Sequence, residues 1–314
     1  MTNVRRILSI DGGGIKGACP AAFLATLEDS IGDNIANYFD LIVGTSTGGI
    51  IALGLGIGLS ATEILGFYER FGPEIFKQQG FLGKLRHLVF AKYRSATIKH
   101  ALEDTFGESK LGDSCKRLVI PALNLDTGEA YLYKTAHDLR YERDYKESMV
   151  AIALATTAAP TYFPAHISRS GIAFVDGGLW ANNPTLVAAI ESSLVLNWHP
   201  QTTRILSLGC STTPTSVGLE RRFSLGQSYW AAKAVDIMMS GQSSSSIGIA
   251  KLMLSEENVV RVSPLVERGR FSMDKTSNIE VLCGLGRGEA RKMLPKMRRQ
   301  FLTEPVDEFK PCRR

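Results

Sequence analysis

The chain has 314 residues, of which 44% are hydrophobic and 21% are charged, so we expect a globular protein with a large core rather than a disordered one. The net charge of +5 comes from basic residues that are scattered along the chain, which argues against binding to a nucleic-acid polymer. Five cysteines without CxxC spacing predict neither a disulfide framework nor a zinc site, and the longest apolar stretch, residues 50–59, is too short to span a bilayer. Free thiols and an N-terminus without a signal-peptide pattern lead us to expect a cytoplasmic protein.

Short apolar runs alternate with longer amphipathic runs along the chain, which predicts an α/β fold with a mostly parallel sheet covered by helices. We expect strands over residues 7–10, 38–43, 118–123, 129–134, 172–175 and 204–208. Helices are predicted over residues 15–30 and from Gly48 onward. Pro121 inside the third of these strands indicates an edge strand or a distorted strand end, because proline cannot donate to a sheet ladder.

A glycine-rich turn, Asp11-Gly12-Gly13-Gly14-Ile15-Lys16-Gly17, follows the first predicted strand. Three of its glycines match the G-x-G-x-x-G fingerprint of dinucleotide-binding proteins. That fingerprint expects an acidic residue at the end of the second strand, whereas here the second strand runs into a serine turn. The other hypothesis is an oxyanion hole, in which the backbone N–H groups of Gly12, Gly13 and Gly14 converge on one oxygen. Lys16 would add positive charge nearby.

The serine turn is Gly44-Thr45-Ser46-Thr47-Gly48, a G-x-S-x-G motif that an apolar helix follows. This context is typical of the nucleophile elbow, in which glycines avoid clashes in a very tight turn. Such a turn exposes the serine hydroxyl at a helix N-terminus, where the helix dipole favours developing negative charge. Ser46 is therefore the candidate nucleophile, and a purely structural turn is the alternative.

Two segments resemble insertions. Residues 71–94 mix apolar and basic side chains, which fits either an ordinary helix packed on the core or a segment that lies on a membrane. Residues 218–254 follow the predicted core and combine a tryptophan, two adjacent methionines and a polar run. We expect this second segment either to cap the site or hold a ligand, or to add ordinary helical packing.

Asp176-Gly177-Gly178 follows the strand that we predict over residues 172–175. An aspartate on a glycine turn at the carboxyl end of a strand lies where open α/β sheets place functional groups, so Asp176 is the candidate base for Ser46. The alternative is an Asx-turn that only caps the strand. No histidine occupies a comparable glycine turn, and the best of the five is His166, so a Ser-Asp dyad is the preferred hypothesis.

In this order, the three motifs resemble those of the patatin-like phospholipase family. The segments 158–164 and 179–184 are also similar to the flanking sequences of that family, and the resemblance spans about residues 6–210. It implies a single domain with a three-layer α/β/α patatin-like fold, in which residues 211–314 form a helical extension that completes or caps the core. It also implies acyl-ester hydrolysis by a Ser-Asp dyad without metal or cofactor.

Carried over residue by residue, the resemblance makes Ser46 the nucleophile and Asp176 the base. The implied oxyanion hole consists of Gly12, Gly13 and Gly14. The residues that support these motifs are Lys16, Gly17, Gly44, Gly48, Gly177 and Gly178. Lys16 stands where the family often has arginine, so the charge is kept and the planar guanidinium is lost.

Small bacterial members of this family include effectors of anti-phage defence that cyclic nucleotides activate, and the segment 236–243 is similar to theirs. The resemblance then implies a membrane phospholipid substrate, a cyclic-nucleotide activator and peripheral contact with the inner face of the membrane, and it leaves formation of a homodimer open. A constitutive lipase or esterase would use the same core residues. The remaining rivals are a dinucleotide-dependent oxidoreductase that uses residues 12–17 and a non-catalytic binding protein.

Overall fold

The computed structural model describes residues 4–77, 90–212, 227–267 and 269–313, without the side chains of residues 227–229 and 231–233. The strands are β1 (Arg5–Ile10), β2 (Leu41–Gly44), β3 (Arg117–Asn124), β4 (Glu129–Lys134), β5 (His166–Ile167), β6 (Ala173–Asp176), β7 (Thr203–Leu208) and β8 (Val259–Val262). The α-helices are α1 (Ala18–Ile31), α2 (Thr47–Gly56), α3 (Ala61–Ile75), α4 (Ser95–Phe106), α5 (Met149–Thr157), α6 (Gly178–Ala181), α7 (Thr185–Ile190), α8 (Gln227–Leu254) and α9 (Ile279–Gln300).

The eight strands of the described residues belong to one sheet with the order β5-β6-β3-β2-β1-β7-β8, and β4 pairs with β3 outside this path. The five neighbours β3, β2, β1, β7 and β8 are parallel to one another. In contrast, β4 and β6 run antiparallel to β3, and β5 runs antiparallel to β6. The prediction of a mostly parallel sheet is confirmed.

Helices cover both faces of the sheet. Successive residues of a strand point to opposite sides, so each strand has apolar residues for both layers of helices to cover. Leu8, Ile42 and Ile120 pack in one hydrophobic cluster with residues of α1, α2, α3 and α5. Ile7 and Leu41 face the other way, toward residues of α7 and α8. This is the predicted three-layer arrangement, and strands buried on both faces explain why the parallel strands read as continuous apolar runs.

Pro121 lies inside β3, so the prediction that it marks an edge strand or a strand end is wrong. One edge of β3 pairs with β4 from Val119 to Asn124. The other edge pairs first with β2, up to Val119, and then with β6, from Ala122. Pro121 therefore lies between the part of this edge that pairs with β2 and the part that pairs with β6.

Several predicted boundaries shift for local reasons. The helix predicted over residues 15–30 begins as a 3-10 turn, Gly14–Gly17, before α1. The strand predicted from Tyr38 begins later, because Asn34 caps a 3-10 turn over Ile35–Tyr38. The part of the chain after residue 210 also contributes a strand, β8, that the sequence did not predict.

The two insertion-like segments are only partly within the described residues. Residues 78–89 of the first and 218–226 of the second lie outside them, and most of the basic and apolar side chains that suggested membrane contact in the first segment fall within 78–89. Of the helices that the structure describes, none combines the length and the apolar character that crossing a membrane requires.

Candidate active site

Ser46 lies in a turn between β2, which ends at Gly44, and α2, which begins at Thr47. Its backbone angles are φ 55° and ψ −122°, a conformation that costs energy for a residue with a Cβ. A Cβ on Gly44 would lie 2.1 Å from the carbonyl oxygen of Gly48, and a Cβ on Gly48 would lie 2.3 Å from that of Ile10. The tight turn predicted for this motif is present, and both flanking positions need glycine.

Asp176 is the hydrogen-bond partner of Ser46. The Ser46 Oγ donates to the Asp176 Oδ2 at 2.6 Å, and the two residues are only 6% and 5% exposed. They meet because β2 and the antiparallel β6 occupy the same edge of β3 end to end, with their carboxyl ends facing each other. The backbone N–H of Gly178 donates to the second carboxylate oxygen at 2.6 Å and fixes the orientation of the carboxylate.

Burial raises the pKa of Asp176 to about 6, because the charged carboxylate loses solvation. The hydrogen bonds from Ser46 and from the Gly178 N–H act in the opposite direction and limit the rise. A carboxyl group with this pKa is largely ionised at neutral pH and is a stronger base than an ordinary aspartate. The pair can therefore move a proton from the serine hydroxyl to the carboxylate.

Thr156, on α5, hydrogen-bonds the strained turn at Ser46. The backbone N–H of Ser46 donates to the Thr156 Oγ1 at 2.9 Å, and this hydroxyl donates in turn to the carbonyl oxygen of Pro121 at 2.6 Å. Thr156 is fully buried at the point where β3 changes partners. The sequence analysis missed this residue, since a threonine in an apolar helix carries no distinguishing signal.

The glycine loop lies directly against the nucleophile turn. A Cβ on Gly12 would lie 3.2 Å from that of Ser46, but the Gly12 N–H already donates to the carbonyl oxygen of Asn182 at 2.9 Å. In the described part of the chain, the N–H groups of Gly13 and Gly14 donate to no other residue. The three predicted donors are therefore not equivalent, because the Gly12 N–H has a protein acceptor and those of Gly13 and Gly14 have none among the described residues.

The start of the same loop is held by Arg261, which the sequence analysis did not single out. Its Nη1 and Nη2 donate to the two carboxylate oxygens of Asp11 at 2.8 and 2.5 Å. Burial raises the pKa of Asp11, and the Arg261 guanidinium opposes that rise. Because Arg261 belongs to β8, its contact with the loop depends on a strand that local sequence patterns did not predict.

Three of the residues predicted to support the motifs, Lys16, Gly17 and Gly177, lie close to other parts of the site. Lys16 is on the 3-10 turn after the loop, and its charge acts on Asp11. A Cβ on Gly17 would lie 2.2 Å from the Thr47 Oγ1, and one on Gly177 would lie 2.3 Å from the Pro121 carbonyl oxygen. Gly17 thus allows the loop to pack against Thr47 in the turn around Ser46, and Gly177 allows the Asp176 turn to pack against β3.

An apolar cavity of about 40 Å³ adjoins the Ser46 side chain. Its walls include Gly14, Ile50, Phe163 and Met273. A cavity of this size holds about three water molecules at most, whereas ligand pockets usually have about 300–1,000 Å³. The apolar lining suits a hydrocarbon chain, but the cavity must widen before it can admit a long one.

The histidine alternative finds no support in the described residues. Their four histidines hydrogen-bond neither Ser46 nor Asp176. His166 lies in β5 and pairs with Phe174 across the sheet. His87 lies outside the described residues.

Comparison with known proteins identifies a family and several relatives. The family model described as patatin-like phospholipase matches residues 8–189. A "cGAMP-activated phospholipase" of Pseudomonas aeruginosa is 36% identical over 241 residues, which are 76% of this chain and 72% of that protein. A protein of the same name from Escherichia coli is 38% identical over 196 residues, and patatin-like protein 2 of Oryza sativa is 33% identical over 213 residues.

The matched regions are different fractions of the relatives' lengths. The matched regions are 59% of this chain and 55% of the Escherichia coli protein, and 60% of this chain and 52% of the rice protein. Among solved structures, VipD from Legionella pneumophila matches 94% of this chain and 67% of its own chain, with a TM-score of 0.50 and 13% identity. At that identity the match speaks for a shared fold alone.

Proposed function

The chain belongs to the patatin-like phospholipase family and is an acyl ester hydrolase, and from this premise we propose that it cleaves acyl esters of membrane phospholipids with a Ser46–Asp176 dyad. The observation that carries the proposal is the 2.6 Å hydrogen bond from the Ser46 Oγ to a buried carboxylate. The oxidoreductase hypothesis for residues 12–17 has no support from the family, and a non-catalytic binding role has none from this geometry.

The proposed reaction has two steps, and each has its proton accounted for. The Asp176 carboxylate takes the Ser46 proton while the Ser46 Oγ attacks the acyl carbonyl carbon. The tetrahedral intermediate collapses, the proton passes to the departing alcohol oxygen, and the lyso-lipid leaves an acyl group on Ser46. Asp176 then deprotonates a water molecule that attacks the acyl-serine, and the fatty acid is released as Ser46 recovers its proton.

We propose that the oxyanion of each intermediate is bound by the N–H groups of Gly13 and Gly14. This narrows the three-glycine hypothesis, because the Gly12 N–H is engaged by Asn182. Gly14 and Ser46 line the same cavity, which favours an oxygen position between them. Each preorganised donor of this kind typically lowers the barrier by about 3 kcal/mol.

The small cavity supports regulation by an activator. The cavity beside Ser46, at about 40 Å³, is much smaller than a long acyl chain, so we propose that the site opens before it binds one. We propose that a cyclic nucleotide drives this change, since two of the relatives are named for activation by cGAMP. A constitutive lipase is the rival, and it would be fully active without any nucleotide.

The cellular setting follows as a proposal of the same kind. Acting on a bilayer substrate requires peripheral contact with the membrane, and an anti-phage effector that degrades the cell's own lipids would work on the inner face, from the cytoplasm. The net charge of +5 suits an anionic lipid surface. Formation of a homodimer remains a prediction.

Covalent labelling with a fluorophosphonate tests the nucleophile, because only an activated serine reacts readily. The wild type is expected to be labelled at Ser46, in the presence of cGAMP if activation is required, whereas Ser46→Ala is not labelled. A binding protein without catalysis would remain unlabelled under all conditions. Labelling at another serine would assign the nucleophile elsewhere.

A further inference from the structure

The part of the chain that follows residue 210 holds one residue of the glycine loop directly and the next residue through a neighbouring segment. The first is Asp11, whose carboxylate accepts both guanidinium hydrogen bonds of Arg261. The Arg261 Nη1 also donates to the Ser207 Oγ on β7 at 2.8 Å. Arg261 thus ties the loop to two adjacent strands of the sheet, and it lies beyond the region 8–189 that the family model matches.

The second held residue is Gly12. Its N–H donates to the carbonyl oxygen of Asn182, and the next residue, Asn183, is fixed by α8. Gln242 accepts from the Asn183 N–H at 3.0 Å and donates to its carbonyl oxygen at 3.1 Å. Ser246 donates to the same oxygen at 2.9 Å. The strand β8 therefore holds Asp11 directly, whereas the helix α8 holds Asn183, the neighbour of the residue that bonds Gly12.

The loop needs such anchors, because Gly12, Gly13 and Gly14 have no side chains with which to fix their own orientation. Glycine has the most conformational freedom of all residues, whereas an oxyanion hole stabilises charge only if its donors are already oriented. The loop is anchored at its far end by the Ile15 N–H, which donates to the Met273 carbonyl oxygen at 2.8 Å. At its near end the anchor is Asp11.

We propose that Arg261 is a positioning residue for ester hydrolysis, which acts through Asp11 to fix the Gly13 and Gly14 N–H groups beside Ser46. This inference rests on the proposed function, because a loop can be positioned for catalysis only if Ser46 is the nucleophile. It places β8, together with α8, in the unit that sets the reaction rate. Removing one partner of a buried ion pair leaves the other charge uncompensated, so the test must measure the effect on stability separately from the effect on rate.

The test measures kcat and KM for p-nitrophenyl butyrate, a soluble ester, with cGAMP present. The thermal unfolding midpoint of each variant is measured alongside. Arg261→Gln is expected to lower kcat by about 10-fold or more, while KM changes by less than about 2-fold. Arg261→Lys keeps the charge without the two-pronged contact and is expected to recover part of the loss. The matched control is Arg204→Gln, which changes an arginine on β7 whose Nη1 bonds the Gln300 carbonyl oxygen away from the site.

Asp11→Asn provides a second route if Arg261→Gln does not fold. It keeps the shape of the side chain and weakens the same contact, so kcat is expected to fall in a folded protein. If the two residues act as one unit, the double variant is no slower than the slower single variant. Additive losses, or a folded Arg261→Gln or Asp11→Asn variant with wild-type kcat, would overturn the proposal.

A loss of activity that only follows the unfolded fraction would also contradict it. Ser46→Ala, assayed in parallel, separates this inference from the proposed function. If Ser46→Ala retains activity, the proposed function fails. If Ser46→Ala is inactive and the Arg261 variants are normal, only the positioning role fails.

Discussion

The Ser46 Oγ and the Asp176 Oδ2 are 2.6 Å apart although 130 residues separate them along the chain. Sheet topology explains this contact. The strand that leads into Ser46 and the strand that ends at Asp176 pair in succession with the same edge of β3 and point toward each other. The proposed base thus lies beside the proposed nucleophile at the end of its strand, and burial there raises the pKa of Asp176 to about 6.

The rate of ester hydrolysis should depend on the protonation of Asp176. Only the carboxylate can accept the Ser46 proton, so kcat on a soluble ester is expected to fall as the pH drops, with half of the maximal rate near pH 6. The measurement is kcat against pH over the range in which the wild type remains folded. A rate that stays constant down to about pH 4, the ordinary range of an aspartate, would contradict the assignment.

The same pKa predicts that Asp176 makes the fold less stable at neutral pH. A pKa raised from 3.8 to about 6 means that the protonated group stabilises the native state below about pH 4, and that this contribution is lost as the pH rises through 6. Ionisation therefore costs about 3 kcal/mol at neutral pH. Asp176→Asn should be more stable than the wild type to urea near pH 8, with the difference vanishing near pH 4.

Asp138 provides a control for this stability prediction. Its pKa is lowered to about 2 by hydrogen bonds from Arg140, so its charged form is favoured in the folded protein. Asp138→Asn should therefore not stabilise the protein near pH 8. Equal effects of the two substitutions would mean that the pKa of Asp176 does not govern the stability gain.

Thr156→Val should impair both stability and catalysis. The substitution removes the acceptor of the Ser46 N–H and the donor to Pro121 while keeping the side-chain volume. We expect a loss of about 1–3 kcal/mol in the free energy of unfolding, and a fall in kcat of about 10-fold because the strained turn relaxes.

Thr105→Val is the matched control, because this threonine also lies in a helix and its hydroxyl, among the described residues, bonds the carbonyl oxygen of Ala101 in the same helix. It should leave kcat unchanged. Chemical denaturation and steady-state kinetics measure both variants. A Thr156→Val protein with wild-type kcat would show that the turn keeps its conformation without this contact.

Gly14→Ala tests the glycine loop. Gly14 has a φ of 59°, and a Cβ there would lie 2.3 Å from the Met273 carbonyl oxygen, so alanine must shift the loop. Alanine in the left-handed conformation costs roughly 1–2 kcal/mol, and the displaced Gly13 and Gly14 N–H groups should lower kcat about 100-fold.

Gly32→Ala carries the same backbone cost without the clash, since Gly32 has a φ of 68° and nothing within 4 Å of its Cβ position. It should lose a similar free energy of unfolding and retain full activity. If both variants keep wild-type kcat, the glycine loop does not bind the oxyanion.

Local sequence signals were sufficient for the residues to which we assign the chemistry. The glycines around Ser46 and beside Asp176 mark turns at strand ends, and the carboxyl edge of an α/β sheet collects such turns. The strands β1 and β2 were recognisable because burial on both faces makes most of their sequences apolar.

The residues that hold the site in place could not be predicted in this way. Thr156 bonds Ser46 and Asn182 bonds Gly12 only because the fold packs their segments beside these turns. Arg261 reaches the loop from a four-residue strand that follows a long helix. The occupied Gly12 N–H is likewise a property of the packed loop and not of the motif. Tertiary neighbours, which a single sequence does not reveal, decide these contacts.

The most direct test of the central claim is fatty-acid release from phospholipid vesicles by the wild type, Ser46→Ala and Asp176→Asn, with and without a panel of cyclic di- and trinucleotides. We expect the wild type to release fatty acid strongly only with an activating nucleotide, and both variants to remain at background although they are folded. Full wild-type activity without nucleotide would contradict activation and leave a constitutive lipase. Release at the wild-type rate by either variant would contradict the Ser46–Asp176 dyad itself.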